Sequence, residues 1–201
     1  MARIETQDQG VAAIAVAEKE LAPGEKLIWA DQPRAGALAR RELPKAFFGI
    51  PFTAFAVFWV TGAYVATQKS SNTGPFVFFP LFGLLFVAAG LYMLLSPLRA
   101  MIKARSTFYA ITGGRLLIIE GRWSRTVTSF TSADIQQIER TERSDGSGDV
   151  VFRRDFPTSR RNTISFNGNW SATRIGFFGV SDARRVEVSV RQLSQQGNRV
   201  S

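Results

Sequence analysis

Ala46–Ala66 (AFFGIPFTAFAVFWVTGAYVA) and Phe76–Ser96 (FVFFPLFGLLFVAAGLYMLLS) are the stretches that decide how this chain folds. No charged residue lies between Lys45 and Lys69, or between Lys69 and Arg99. At about 1.5 Å rise per residue, a helix of about 20 residues covers the roughly 30 Å of a bilayer's hydrocarbon core. A helix in a soluble core keeps a polar stripe, and neither stretch has one. Phe47, Phe48, Phe52, Phe55, Phe58 and Trp59 cover every face of the first. Phe76, Phe78, Phe79, Phe82, Leu84, Leu85 and Phe86 do the same in the second. The expectation is a transmembrane helical hairpin, residues 46–98, with spans at 46–66 and 76–96 and a short polar link between them.

Details of the two spans fit that expectation. Pro51 and Pro80 are expected in the first turns of their helices, where a missing N–H costs least. Pro97 is expected to end the second span near Ser96. Gly49, Gly62 and Ala63 on one helix, and Gly83, Ala89 and Gly90 on the other, permit close packing. No ionisable residue lies inside either span, which argues against an ion path or proton relay. Arg40, Arg41 and Lys45 precede the first span; Arg99 and Lys103 follow the second; the link carries only Lys69. The positive-inside rule then places both termini in the cytoplasm, with the membrane crossed twice.

Composition narrows the chemistry. There is no Cys in the 201 residues, hence no disulfide or thiolate chemistry, and no His, hence no His-dependent triad and no His ligand for zinc. No catalytic residue, metal or cofactor is expected, and the chain is read as not an enzyme. The net charge is +9. Residues 1–45 carry seven basic and seven acidic side chains, and residues 99–201 carry 17 basic and nine acidic, so the C-terminal part holds nearly all the excess. A basic domain tethered to an anionic leaflet is drawn to its surface. Nucleic acid is the other generic partner of such charge, but the tether and the lack of a basic helix or stacking motif argue against it.

Around the spans, residues 1–20 read as a flexible arm, with a short Ala-rich helix at Val11–Leu21 as the one ordered element. Residues 21–45 hold a Pro23-Gly24 turn, a short strand at Lys26–Ala30, and a basic approach to the membrane. After the hairpin, Thr107–Thr112 and Arg115–Glu120 flank Gly113-Gly114, a hairpin signal because both glycines can take φ > 0. Strands are expected at Trp123–Phe130, Ile135–Arg143, Val150–Arg153, Thr163–Phe166 and Ile175–Val180. A final helix begins at Ser181 as N-cap, with Ala183, Val186, Val190 and Leu193 on one face; Val186, Val188 and Val190 also alternate as in a strand, but the cap and the length favour a helix, and Gly197 starts the tail, 197–201. The fold class is α+β: a membrane hairpin plus a small β-barrel or sandwich capped by a C-terminal helix over residues 99–196.

Four short motifs carry a resemblance. They are Leu21-x-Pro-Gly-Glu25-x-Leu-Ile-Trp29 with Pro33; Tyr109-Ala-Ile-Thr-Gly-Gly-Arg115; Asp145-Gly-Ser-Gly-Asp149; and Gly176-Phe-Phe-Gly-Val-Ser-Asp182. In this order around a two-span hairpin they resemble the bacterial membrane proteins with a pleckstrin-homology-like (PH-like) domain. The resemblance implies a PH-like barrel with a C-terminal helix, against which the Pro-Gly-Glu strand docks. It implies no defined activity.

The candidate contact residues for lipid or partner are Arg115, Arg122, Arg125, Arg160 and Arg161, with Arg40, Arg41, Lys45, Arg99 and Lys103 flanking the membrane. Adjacent Arg153 and Arg154 would point to opposite faces of a strand. The partners expected are anionic head groups, other membrane proteins or copies of the same chain. The function expected is a membrane-anchored interaction or scaffold module. The alternative is a membrane-bound enzyme, or its accessory subunit, acting on lipid or envelope substrates through Asp134, Asp145, Asp149 or Asp155.

Overall fold

The computed structural model describes residues 2–69, 79–121, 124–155 and 173–197. The chain divides into two compact units, one formed by Met1–Ala35 with Lys103–Ser201 and the other by Gly36–Ile102.

The first unit holds the strands. Its four-stranded antiparallel sheet runs in the order β1 (Leu27–Asp31), β2 (Thr107–Thr112), β3 (Arg115–Glu120), β4 (Thr126–Thr131). A second, three-stranded antiparallel sheet comprises β5 (Glu139–Glu142), β6 (Gly148–Asp155) and β7 (Thr173–Val180). Alternation along each strand sends one set of side chains inward. Tyr109 and Ile111 from β2, Leu116 from β3, Phe130 from β4, Val150 and Phe152 from β6, and Phe177 from β7 form one core. The C-terminal helix (Ala183–Gly197), numbered α5 below, covers that core with Ala183, Val186, Val190 and Leu193, as the helical spacing predicts. Phe177 is the hub: its ring lies 4.8 Å from Tyr109, 5.4 Å from Phe152 and 5.8 Å from Trp29.

Several expectations are corrected here. The N-terminal helix is longer than expected, α1 running over Ala2–Glu18. Ala13 and Ala17, one turn apart, are fully buried. Ala17 packs with Ala110 and Leu117 on the outer face of the first sheet, where small side chains let a helix approach closely. The strand expected at Ile135–Arg143 is shorter. Asp134 turns back to accept from the N–H and hydroxyl of Thr131, which closes a 3₁₀ turn at Ser132–Asp134 and leaves only Glu139–Glu142 as β5. The β2–β3 hairpin is present, but Gly113 and Gly114 are not among the positive-φ glycines. The Thr112 hydroxyl instead accepts from the N–H groups of Gly114 and Arg115, so a side chain shapes the turn. The N-cap of the last helix is Asp182, whose Oδ1 accepts from Arg185 N at 2.9 Å. Ser181 is turned to another partner. The strand expected at Thr163–Phe166 lies outside the described residues.

The second unit is a pair of antiparallel helices. Helix α2 runs unbroken from Ala35 to Lys69, and α3 covers Phe79–Leu94. Contacts of Gly49 with Met93, Thr53 with Gly90 and Val60 with Gly83 fix the antiparallel register. Gly62 has open space around it and plays no part in this packing. Pro44 and Pro51 both lie inside α2, because helix begins already at Ala35; the good helix formers from Ala35 to Leu43 extend it ahead of the apolar run. Pro97 does not end helical structure. It bends the path by 46° into α4, Ser96–Ala104, since proline is tolerated in a first turn. α2 is long and apolar enough to cross a membrane, and α3 with α4 supply a second such length if counted together.

Candidate functional site

The four short motifs meet in two polar clusters, both in the strand-bearing unit. In the first, Glu25 is gripped by Arg115 through two bonds, Nε to Oε1 at 2.9 Å and Nη2 to Oε2 at 2.8 Å. The Thr112 hydroxyl donates to Oε1 at 2.6 Å, and Ala22 N donates to Oε2 at 2.8 Å. The carboxylate is only 12% exposed. The fork-to-fork bonds from Arg115 hold its pKa down at about 2 and raise that of Arg115 in return. Arg115 also donates to the carbonyl of Glu20 and to the Ser129 hydroxyl. Arg125 stands 3.6 Å from Glu20. Two of the expected contact arginines, Arg115 and Arg125, therefore clamp the 20–25 segment onto the sheet.

The second cluster joins the end of β1 to the far sheet. Asp31, buried, accepts from the N–H and hydroxyl of Ser181 at 3.1 and 2.5 Å. Arg34 N donates to the carbonyl of Gly179, and its guanidinium meets Asp145 at 3.0 Å. Asp149, also buried, accepts from Gly179 N at 2.8 Å. Gly179 sits at φ 66°, in the left-handed region that glycine enters freely. The Asp145–Asp149 loop is thus a hairpin turn wired to Arg34. Its Asp145 pKa is lowered, chiefly by the hydroxyl and then the N–H of Ser147.

The remaining arginines lie on several elements. Arg153 pairs with Asp134 at 3.1 Å and Arg154 with Glu139, separate partners for adjacent strand positions. Asp134 is held below the usual carboxylate range by the N–H and hydroxyl of Thr131, and Glu139 by Arg154. Lys103 pairs with Glu120 at 3.2 Å. Arg40 and Arg41 are exposed on α2 ahead of the apolar run. Arg122, Arg160 and Arg161 lie outside the described residues, as does Trp123.

Arg184 and Arg185 are what sequence reasoning missed. Both are exposed on the first turn of α5, and neither forms an ion pair among the described residues. Cations there oppose the helix dipole by about 0.3–1 kcal/mol each, so the fold gains nothing from them. That mismatch, two arginines in the first turn after an Asp N-cap, was visible in the sequence as a signal. With Val188, 49% exposed, they give α5 a basic outer face.

A core of two antiparallel sheets closed by a C-terminal helix is consistent with a PH-like domain. Residues 47–194 match the bacterial PH domain family, a range that includes the helical pair. The chain belongs to that family. No curated protein and no solved structure matches it.

Proposed function

We propose that the chain is a membrane-anchored, non-enzymatic interaction module. The helical pair sits in a bacterial inner membrane with both termini cytoplasmic, and the PH-like unit presents a basic surface to anionic head groups. PH domains as a class bind lipids or proteins, and this fold carries such a module. The observation that carries the membrane reading is the exposure of the helical pair. Only 11% of the most apolar α2 window is buried, while Phe47 is 75%, Phe58 73% and Leu85 66% exposed. Aromatic surface of that extent is stable against lipid and unstable against water. Orientation rests on Arg40, Arg41, Lys45, Arg99 and Lys103 at one end of the pair against Lys69 at the other. On the PH-like unit, the basic outer face of α5 with Arg184 and Arg185 is the assigned head-group contact, each cation near the surface contributing about 1 kcal/mol.

The non-enzymatic reading is supported by how the acids are spent. Asp134, Asp145 and Asp149 each face their own arginine: Arg153, Arg34 and Arg143. The first two are held ionised below the usual range, which makes them weak bases. The decisive experiment is alkaline carbonate extraction of the full chain, beside a variant in which a short Gly-Ser linker replaces residues 36–102. Gln32 already donates to the carbonyl of Arg105 at 2.8 Å, so those ends are close enough to join. The full chain is expected in the membrane pellet. The linked variant is expected in the supernatant, and to bind phosphatidylglycerol vesicles in a salt-sensitive way. Release of the intact chain by carbonate sinks the proposal.

A further inference from the structure

Beyond the PH-like unit, the helical pair carries a cation arrangement of its own. The Tyr92 ring of α3 has two cations against it. The Arg99 guanidinium is 3.4 Å from its centroid and the Lys45 ammonium 5.5 Å, on residues from the two ends of the helical pair's sequence. Both charges are favoured by the ring face, yet they repel each other. Glu42 pairs with Lys45 at 3.9 Å. Arg99 is anchored where it is, because its Nη2 donates to the carbonyl of Tyr92 at the helix break. Pro97 has no N–H for the carbonyl of Met93, and the Ser96 hydroxyl donates to that carbonyl at 2.7 Å instead. The break thus fixes Arg99 over the ring, and Lys45 arrives from α2. Tyr92 is 59% exposed.

We propose that Lys45, Tyr92 and Arg99 form a binding site for the phosphate of an anionic phospholipid. The inference rests on the membrane placement above and names a ligand for the hairpin rather than for the PH-like unit. Three features select this chemistry. Two cations against the single carboxylate of Glu42 leave a local positive excess, and a phosphodiester offsets it with charge-assisted bonds. The position is at head-group depth, since the apolar run begins at Ala46, directly after Lys45, and the other ends at Leu95. A tyrosine at that depth offers an apolar ring to the acyl boundary and a hydroxyl to the head group. A zwitterionic choline lipid brings its own cation to a site that already holds two, so phosphatidylglycerol is preferred over phosphatidylcholine.

The test is native mass spectrometry of the full chain released from detergent micelles, with phosphatidylglycerol, phosphatidylcholine or inorganic phosphate added. One phosphatidylglycerol is expected to stay bound, about fivefold less tightly in Lys45→Gln or Arg99→Gln and about thirtyfold less in the double variant. Arg99→Lys, which keeps the charge and loses the planar stacking, is expected to fall between wild type and Arg99→Gln. Circular dichroism and elution volume confirm that each variant keeps its fold. Equal retention of phosphatidylglycerol by the double variant, or of phosphatidylcholine by wild type, overturns the site. Competition by millimolar inorganic phosphate identifies a free-anion site and overturns the lipid assignment. A chain that carbonate extracts overturns the membrane reading and this one together; a chain that stays in the membrane but shows no lipid preference overturns this one alone.

Discussion

The helical pair and the strand-bearing unit treat their aromatic side chains in opposite ways. Phe130, Phe152 and Phe177 of the PH-like unit are buried, ring against ring. Phe47, Phe55 and Phe58 of α2 point outward and are more than half exposed. One unit buries its aromatic rings in its own interior; the other leaves many of its own exposed. Polar chemistry divides the same way. The PH-like unit is stitched by charged clusters, Glu25–Arg115 and Asp31–Ser181 among them. Within the pair, Thr53 and Thr61 instead return their hydroxyls to backbone carbonyls four residues earlier in their own helix, at Gly49 and Val57. A hydroxyl satisfied by its own helix can face hydrocarbon without penalty.

The widest test of that contrast is a matched pair of truncations. Phe177→Ala removes the ring that touches Trp29, Tyr109 and Phe152, and is expected to cost about 3–5 kcal/mol of PH-like unit stability. Phe58→Ala, on the outward face of α2, is expected to cost less than about 1 kcal/mol in a bilayer, because lipid replaces the ring on both sides of the comparison. Urea unfolding followed by Trp fluorescence of reconstituted protein measures both. A large loss at Phe58 would break the contrast and mean that another protein surface covers that face.

The charged clamp gives the next effect. Glu25→Gln keeps the shape but removes the charge from a nearly buried pair, with an expected loss of about 2–3 kcal/mol at neutral pH. The folded pKa of Glu25, about 2, lies below its ordinary value of 4.5. Its stabilisation is therefore complete above the unfolded pKa and is lost as pH falls from about 5 toward 2. Stability measured across that window is expected to fall more steeply in wild type than in Glu25→Gln, the two curves converging near pH 2. Parallel curves would mean that Arg115 gains nothing from the carboxylate's charge.

How much of this was legible in the sequence follows from the range of each interaction. The helical pair was readable because an uncharged run of that length is a local signal that needs no partner. Strands β1 to β3 and the inward face of α5 were readable from alternation and from the Ala183–Leu193 spacing. The two polar clusters were not, since Glu25 and Arg115 lie 90 residues apart and Asp31 and Ser181 150, and no local rule joins Thr112 to a turn that it shapes itself. The motifs Pro-Gly-Glu25 and Thr112-Gly-Gly-Arg115 were noticed separately; that they are two halves of one clamp is a fact of tertiary structure. α1 was read only over its second half, from Val11, for a different reason: its docking surface is made of alanines, which give almost no amphipathic signal.

Glycine sharpens the contrast at the smallest scale. In the helical pair Gly90 is needed for closeness. A Cβ there would collide with the Thr53 hydroxyl and lie 3.1 Å from the Thr53 Cα, so the two helices would have to separate. Gly90→Ala is expected to cost about 1–2 kcal/mol, read as earlier loss of helix contact in a detergent titration. In the β2–β3 turn Gly114 is needed for nothing the structure shows. Its φ is not positive, and no heavy atom lies within 4 Å of where a Cβ would stand. Gly114→Ala is then expected to stabilise the PH-like unit by about 0.4–1 kcal/mol, because it removes freedom from the unfolded chain and adds no strain. The sign is the informative part. A loss at Gly114 would show that the turn visits a left-handed conformation after all, and that the Thr112 hydroxyl alone does not hold it. A gain at Gly114 beside a loss at Gly90 would show that the same residue type serves packing in one unit and is dispensable in the other.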